Sequence, residues 1–268
     1  MVLGVAEREK RGGGESSRPH ALDIYERVCE DSKEELGRPF GSLFFSAIFA
    51  GFAIGLAPMA VAIATVLLGD SAADKFVAAL LYPIGYVAVI LGRSQFFTEN
   101  TLHPVVVTMR EHEYFRPTAR LWAIVLPVNL LGALIFATLA VTTGAFDNTV
   151  QDQLVSFGVA DTSGSFADTF WSAVVTGFLL ALVAWLVEST SKAAGAQIFV
   201  IWVLTFLVAL GTFDHCIATT VEAFAALLDG ELGFGKLAGW LGVTILGNVA
   251  GGVLIVAAIN YGQVREED

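Results

Sequence analysis

Long apolar stretches separated by short polar segments dominate this chain of 268 residues. An α-helix needs about 20 apolar residues to cross a bilayer. Stretches near that length predict six membrane-spanning helices, at residues 43–68, 76–92, 121–146, 169–187, 193–213 and 237–264. The pattern therefore predicts an all-α polytopic membrane protein with a transmembrane domain over residues 39–264.

The second and fifth apolar stretches do not end cleanly. The second continues through the polar segment 93–104 into another apolar piece, and the fifth does the same through 211–220. Non-helical backbone at membrane depth is tolerated only where it is buried in protein or lines a water-filled cavity. These segments therefore predict breaks within helices 2 and 5 that lie on a pathway across the membrane.

A short motif recurs in the two halves of the chain. Asn129 precedes Gly132 by three residues in predicted helix 3, and Asn248 precedes Gly251 in the same way in predicted helix 6, 119 residues later. The breaks keep nearly this spacing, because Thr98 and His215 lie 117 residues apart. Two three-helix halves, each with a broken middle helix, are typical of an inverted-repeat transporter or channel.

Lys and Arg predict the orientation in the membrane. With the N-terminus inside, twelve of them fall on the inner side, and only Lys75 and Lys236 fall in outer loops. Cytoplasmic segments carry the excess of Lys and Arg. We expect cytoplasmic tails at 1–38, with a mobile first part over residues 1–20, and at 265–268. Segment 147–168 is expected to be an outer loop, and the protein a multi-pass component of the cell inner or plasma membrane.

Composition excludes several classes of function. The formal charge of −11 argues against a nucleic-acid partner, because phosphate binding needs clustered Lys and Arg. Cys29 and Cys216 are expected to be free thiols, since they lie in very different surroundings. No catalytic motif and no metal-ligand spacing occurs. We therefore expect no enzyme, no metal and no cofactor.

The second break contains the most informative pair, Asp214 and His215. Ionisable groups inside an apolar segment are costly and tend to mark substrate or proton pathways. His215 is expected to donate a hydrogen bond or a proton to a passing anion. The alternative is a core histidine tied to Asp214 or to a backbone carbonyl. Thr98 offers a hydroxyl at the first break, although a lone threonine is more often a helix cap.

Other residues near the breaks have structural or pore-lining interpretations. Asn129 and Asn248 are expected to hydrogen-bond to the backbone that the breaks expose. Gly132, Gly251 and Gly252 are better explained by close helix packing than by ligand contact. Arg93 and Glu99 flank the first break as a candidate ion pair. The phenylalanines that could narrow the pathway are Phe96, Phe97, Phe206 and Phe213.

Together these residues resemble the formate/nitrite transporter family. The resemblance covers about residues 35–262. It depends on Phe97-Thr98 in the first break, on Gly-Thr-Phe-Asp-His-Cys-Ile-Ala at 211–218, and on Gly-Asn-Val-Ala-Gly-Gly at 247–252. The family's usual lysine before helix 4 has no counterpart, because residues 145–170 contain no Lys.

The resemblance implies an aquaporin-like fold and a homopentamer with one pore in each protomer. It implies passage of small monovalent anions such as formate or nitrite, often together with a proton. His215 corresponds to the family's pore histidine, Thr98 to its loop threonine and Asn248 to its helix-6 asparagine. The outer constriction would involve Tyr82, Tyr86 and a residue among Phe206 to Val208, and the inner constriction would involve Phe96 and Phe97.

Three functions compete at this point. In the leading hypothesis, a weak-acid anion is neutralised by a proton supplied through His215, because a bare anion in the apolar centre costs several kcal/mol or more. The second is a pore for a small neutral solute, although the chain lacks the aquaporin Asn-Pro-Ala motif. The third is a non-conducting membrane scaffold or sensor.

Overall fold

The computed structural model of the chain describes residues 21–191, 193–257 and 262, and every regular element in these ranges is helical. This confirms the predicted all-α class. Residues 1–20 and 265–268, assigned above to the tails, and the end of predicted helix 6 at 258–264 lie outside the described residues, apart from residue 262. The helices are α1 Ala21–Leu36, α2 Phe40–Ala53, α3 Leu56–Leu68, α4 Ala72–Ala79, α5 Pro83–Leu91, α6 His103–Arg110, α7 Phe115–Thr142, α8 Asn148–Asp161, α9 Phe166–Ser189, α10 Ala194–Leu210, α11 Ala218–Asp229 and α12 Phe234–Ala250.

Five helical segments are long and apolar enough to cross a membrane. They are Phe40–Leu68, Ala72–Leu91, His112–Thr142, Phe166–Ser189 and Phe234–Leu254. The remaining predicted span corresponds to α10, an apolar helix of 17 residues. At 1.5 Å per residue this helix is about 25 Å long, which is shorter than the hydrocarbon core of a bilayer. Six crossings therefore remain a prediction.

Both predicted breaks are present. Helix α5 ends at Leu91 and α6 begins at His103, whereas α10 ends at Leu210 and α11 begins at Ala218. Each break turns through a non-glycine residue in the left-handed region, Arg93 and Thr212, both with φ of 49°. This conformation costs about 1–2 kcal/mol for an L-residue. The same costly turn therefore occurs twice, 119 residues apart.

Close helix contacts surround the breaks. An added Cβ at Gly51 would overlap the backbone of Asn129, and one at Gly177 would overlap the backbone of Asn248. Gly132 and Gly251 bring the same helix pairs, α2 with α7 and α9 with α12, into backbone contact from the opposite side. Gly252 lies against the hydroxyl of Thr101. The packing interpretation of these glycines is confirmed.

Two amphipathic helices lie outside the predicted spans. Helix α1, in the segment assigned to an N-terminal tail, packs on α6 and α9, and α8 packs on α11 and α3. The segment expected to be an outer loop, residues 147–168, contains α8. This helix buries Val150, Leu154, Val155 and Gly158 on one face, at the spacing of an amphipathic helix. Its many polar residues hide it from a search for apolar stretches.

Candidate functional site

Two asparagines fasten the broken segments to the helices around them. Asn129 Oδ1 accepts the N–H of Phe97 at 2.9 Å, and its Nδ2 donates to the carbonyls of Ala47 and Gln95. Asn248 does the same in the other half, where the partners are the N–H of Cys216 and the carbonyls of Ala173 and Asp214. The predicted hydrogen bonds of both asparagines to the broken segments are therefore present.

These matching bonds correct the alignment of the two breaks. Phe97 and Cys216 occupy equivalent places, 119 residues apart, so the counterpart of His215 is Phe96. The offset of 117 residues between Thr98 and His215, which the sequence comparison of the breaks gave, is therefore refined to 119. The two true counterparts meet, because the rings of Phe96 and His215 stack at 5.3 Å between centroids and 10° between planes.

Backbone groups determine the protonation of His215. Its Nδ1 accepts the N–H groups of Ile217 and Ala218, both at 3.0 Å, at the beginning of α11. Since Nδ1 accepts two bonds, the ring proton of the neutral imidazole is on Nε2. That atom lies 3.1 Å from Oγ1 of Thr98, so the Nε2–H donates to the threonine hydroxyl. His215 thus faces Thr98 as expected.

Asp214 does not bind the imidazole, so His215 is not a core histidine held by its neighbour. Its Oδ1 accepts the indole N–H of Trp240 at 2.9 Å, and its backbone N–H donates to Oγ of Ser172 at 2.8 Å. The carboxyl group therefore points away from the ring of the next residue. It lies against α12 and lines a cavity described below.

Tyrosines continue the buried cluster on the other side of His215. The ring of Tyr86 meets the imidazole edge-on, with centroids 5.7 Å apart. The hydroxyls of Tyr82 and Tyr86 lie 3.1 Å apart. We name the group formed by Tyr82, Tyr86, Phe96, Thr98 and His215 the waist. All five of its side chains are buried, and none is more than 7% exposed.

The waist lies between two cavities. The α8 cavity, of about 120 Å³, is lined by Tyr82 of the waist, and the α1 cavity, of about 560 Å³, is lined by Phe96. His215, Tyr86 and Thr98 line neither of them. A solute moving from one cavity to the other would have to pass these buried side chains.

Three of the predicted constriction residues lie outside the waist. Val208 lines the α8 cavity with Tyr82, as expected of a residue at a constriction. The ring of Phe97 instead packs on Trp122 of α7, with centroids 5.7 Å apart. The ring of Phe206 packs on Phe76 of α4 at 5.3 Å. The structure thus brings Phe96 to the waist and leaves Phe97 and Phe206 outside both cavities.

Carboxyl groups dominate the linings of both cavities. Three line the α8 cavity, those of Asp161, Asp214 and Glu222, and no Lys, Arg or His lines it among the described residues. The charged and titratable side chains of the α1 cavity are five carboxyls, two guanidiniums and one imidazole: Asp31, Glu34, Glu35, Glu99, Glu188, Arg38, Arg93 and His103. The expected ion pair of Arg93 with Glu99 is not among the salt bridges of the described part of the chain.

Sequence reasoning missed Asp161, Glu222 and Trp240. Glu222 carried a usable signal, because it is an ionisable residue just before the apolar piece that follows the second break. Asp161 and Trp240 carried none, since their importance depends on how α8 and α12 pack. Burial of Asp161, which lies at the end of α8, raises the pKa of its carboxyl to about 6.

The chain was compared with known families and proteins. A sequence model described as formate/nitrite transporter matches residues 22–262. The inner membrane protein YfdC of Escherichia coli strain K12 is 31% identical over 255 residues, which cover 92% of this chain and 80% of that protein. Formate-nitrite transporter 3 of Toxoplasma gondii is 28% identical over 89% of this chain and 50% of its own length.

Solved structures share the fold. A chain described as an FNT family ion channel superimposes with a TM-score of 0.76 and 18% identity, covering 91% of this chain and 98% of that one. A pentameric formate channel with formate bound superimposes with a TM-score of 0.69 and 17% identity, covering 85% of this chain and 98% of the other. At these identities the likeness shows the fold alone.

Proposed function

The chain belongs to the formate/nitrite transporter family, and we propose that it forms a pathway for small monovalent weak acids such as formate and nitrite, which cross together with a proton. Members of this family are channels or transporters, not enzymes. The observation that carries the proposal is the position of His215, whose Nε2–H and partner Thr98 lie in the waist between the two cavities.

The geometry suits a solute that changes its hydrogen-bond partners as it passes. In the waist the only polar groups are the hydroxyls of Tyr82, Tyr86 and Thr98, and the imidazole of His215, among the described residues. A weak acid that separates Thr98 from His215 would accept the Nε2–H that the threonine now accepts. Transfer with a proton keeps the solute uncharged in this apolar surrounding, where a bare ion is costly.

Uptake into proteoliposomes tests the proposal. Radiolabelled formate and nitrite should enter vesicles that contain the protein faster than protein-free vesicles, with faster entry at lower external pH. His215→Phe should abolish this gain, whereas His112→Phe, at an exposed position outside the waist, should retain it. Equal uptake with and without the protein would contradict the proposal.

A small neutral solute is the second candidate, and the carboxyl-lined cavities favour it. Carboxylates do not repel an uncharged molecule, and the waist offers it hydrogen bonds. Uptake of labelled glycerol in the same vesicles separates the two functions. Glycerol uptake without formate uptake would favour this candidate, and absence of both would favour a non-conducting scaffold or sensor.

The assembly is proposed to be a homopentamer in lipid. The related formate channel is described as pentameric, and large apolar side chains such as Phe45, Leu67 and Phe199 are 69–77% exposed on this protomer. In a membrane such groups contact lipid or neighbouring protomers. Native mass spectrometry in mild detergent should find five copies, and a stable monomer or trimer would contradict the proposal.

A further inference from the structure

We propose that the pathway has a second class of substrate, ammonia and small primary amines: the cavities collect these molecules as ammonium cations, and the waist passes them as the neutral base. The inference rests on the pathway proposed above, and it adds weak bases to the weak acids named there. Three observations carry it: the acidic linings of the two cavities, an unpaired carboxyl oxygen close to the waist, and the hydrogen-bonding groups of the waist itself.

The α8 cavity has an acidic lining without a basic side chain. Its polar lining residues are three carboxylic acids and three hydroxyl residues: Asp161, Asp214, Glu222, Tyr82, Thr212 and Thr219. No Lys, Arg or His lines it among the described residues. Asp161 and Glu222 are hydrogen-bonded to each other, which requires a shared proton, and a pair with one proton keeps one negative charge. A cleft lined by one sign of charge concentrates ions of the other sign, so this cavity collects cations.

The α1 cavity has the same bias at a larger volume. Its charged and titratable lining residues are five carboxylic acids, two arginines and one histidine: Asp31, Glu34, Glu35, Glu99, Glu188, Arg38, Arg93 and His103. Arg38 is already engaged, because its Nε and Nη2 donate to Oγ of Ser42 at 3.1 and 2.9 Å. The carboxyl groups therefore outnumber the guanidiniums on the other side of the waist as well.

One carboxyl oxygen in the α1 cavity has no partner. Glu35 Oε1 accepts a hydrogen bond from Nε2 of Gln95 at 3.1 Å, whereas Glu35 Oε2 is buried without a hydrogen-bond partner among the described residues. An ammonium group has only donors and a carboxylate anion only acceptors, so this oxygen can bind the first and not the second. Gln95 directly precedes Phe96 of the waist, which lines the same cavity. The unpaired acceptor therefore lies close to the waist.

The waist provides the hydrogen bonds that a neutral amine needs. Nδ1 of His215 already accepts two backbone N–H groups, so the ring presents one donor, the Nε2–H that now faces Thr98. The lone pair of a neutral amine accepts this N–H, and an ammonium ion has no lone pair. The hydroxyls of Tyr82, Tyr86 and Thr98 accept the N–H groups of the amine. Since the side chains of the waist are uncharged, a cation would lose its hydration there at a high cost.

The proton of the cation stays in the cavity that the cation enters. An N–H bond of the ammonium ion breaks, its electron pair remains on nitrogen, and the proton goes to a carboxylate and from there to water. On the far side the base takes a proton from water, so a neutral molecule crosses and no net charge moves. Burial raises the pKa of Glu35 to about 7 and that of Asp161 to about 6. These carboxylates, one in each cavity, are better proton acceptors for an amine than ordinary carboxylates.

A pH-sensitive dye inside proteoliposomes tests the proposal with methylammonium chloride. Each methylamine that enters takes up a proton, so the internal pH rises. The lipid route follows the free base, which increases about tenfold between external pH of about 7 and about 8. The protein-dependent rate should instead change less than about threefold, because the cavities collect the cation, which is the main species at both pH values. A tenfold change would overturn the inference in favour of a simple pore for neutral solutes, and so would the absence of any protein-dependent rate.

Rubidium tests the step in which the proton is lost. This ion is similar in size to ammonium and has no proton to give, so labelled rubidium should enter no faster than in protein-free vesicles. Rubidium uptake as fast as methylamine uptake would overturn the inference. Labelled formate in the same vesicles tests the proposed function separately. Formate uptake without methylamine uptake would overturn the inference alone, and methylamine uptake without formate uptake would overturn the proposed function alone.

Variants of the cavities test the role of the carboxyl groups. Asp161→Asn with Glu222→Gln removes both titratable groups of the pair, and the protein-dependent methylamine rate at a pH of about 7 should fall at least about fivefold. Asp152→Asn, at an exposed position on α8, is the matched control and should retain the wild-type rate. Glu35→Gln should lower the rate from the side of the α1 cavity and provides the test if the double variant does not fold. Wild-type methylamine rates in a folded double variant, or in Glu35→Gln where only that variant folds, would contradict the collection of cations by the cavities.

Discussion

The two nitrogens of His215 have different partners, and the difference sets the consequence of replacing this residue. Nδ1 accepts two main-chain N–H groups, and Nε2 faces Thr98. A substitution therefore affects the beginning of α11 as well as the waist. Function and stability must be measured on the same preparation.

His215→Phe is expected to abolish protein-dependent formate uptake, because the waist loses its N–H donor. It should also lower stability by about 1–3 kcal/mol, the cost of leaving a buried donor unpaired. His215→Asn keeps a polar side chain, and we expect it to leave a pore that conducts without strict proton coupling. Uptake assays and thermal melting check both variants, and normal uptake with normal melting in His215→Phe would contradict a role of any kind.

The sequence predicts the contacts of residues that must satisfy exposed backbone groups. It does not predict contacts that depend on the local path of the main chain. Asn129 and Asn248 stand in a repeated motif next to breaks that expose backbone groups, so their hydrogen bonds follow from elementary chemistry. Phe96 and Phe97 are neighbours in a segment without periodicity. Only the path of the main chain shows that Phe96 turns to His215 and Phe97 to Trp122.

At the scale of elements, α1 and α8 occupy matching places in the two halves. Helix α1 precedes α2 and packs on α6 after the first break, whereas α8 precedes α9 and packs on α11 after the second. The spanning helices were predictable because their apolar stretches are long. These two helices were not, since each is polar on one face and short of the length needed to cross a membrane.

Gly158 allows α8 to touch α11. An added Cβ would overlap the carbonyl group of Glu222, so Gly158→Ala should push the helices apart and destabilise the protein by about 1–3 kcal/mol. Gly239→Ala on α12 is the control, because an added Cβ there meets nothing within 4 Å, and alanine favours a helix over glycine. Thermal melting in detergent should separate the two variants, and equal melting temperatures would show that α8 has no tight contact at Gly158.

Glu35 of α1 makes the stability of the protein depend on pH. Burial raises the pKa of this carboxyl to about 7, although Gln95 donates a hydrogen bond to it. Between the ordinary glutamate pKa and about 7, the unfolded chain loses this proton while the folded chain keeps it, so the folded state becomes less stable as the pH rises. The side chain of the Glu35→Gln variant cannot ionise, so the variant does not lose this stability as the pH rises.

We therefore expect Glu35→Gln to melt close to the wild type at about pH 4 and to be more stable by about 1–3 kcal/mol at about pH 8. Glu30→Gln, at an exposed position on the same helix, should show no such difference between the two pH values. A constant offset between Glu35→Gln and the wild type across this range would mean that folding does not shift the pKa of this carboxyl.

At the scale of the whole molecule, one spacing of 119 residues relates the strained turns at Arg93 and Thr212, the stacked pair of Phe96 and His215, and the two asparagines. The sequence motif revealed this spacing, and the hydrogen bonds of the two asparagines add that the counterpart of His215 is Phe96. Three spans in each half would place the halves in opposite orientations in the membrane. The structure shows that the two halves make matching contacts. Their direction in the membrane is a prediction that cysteine labelling tests.

The distribution of Lys and Arg predicts that both termini are cytoplasmic and that α8 faces the outside. Single cysteines introduced as Ser16→Cys and Thr149→Cys test this, because Thr149 is exposed at the beginning of α8. The native thiols Cys29 and Cys216 are buried, at 5% and 0% exposure, so they should contribute little background. An impermeant maleimide added to intact cells should label Thr149→Cys alone, and both variants should react after the membrane is opened. Labelling of Ser16→Cys in intact cells would contradict this topology, in which the N-terminal tail is cytoplasmic and α8 faces the outside.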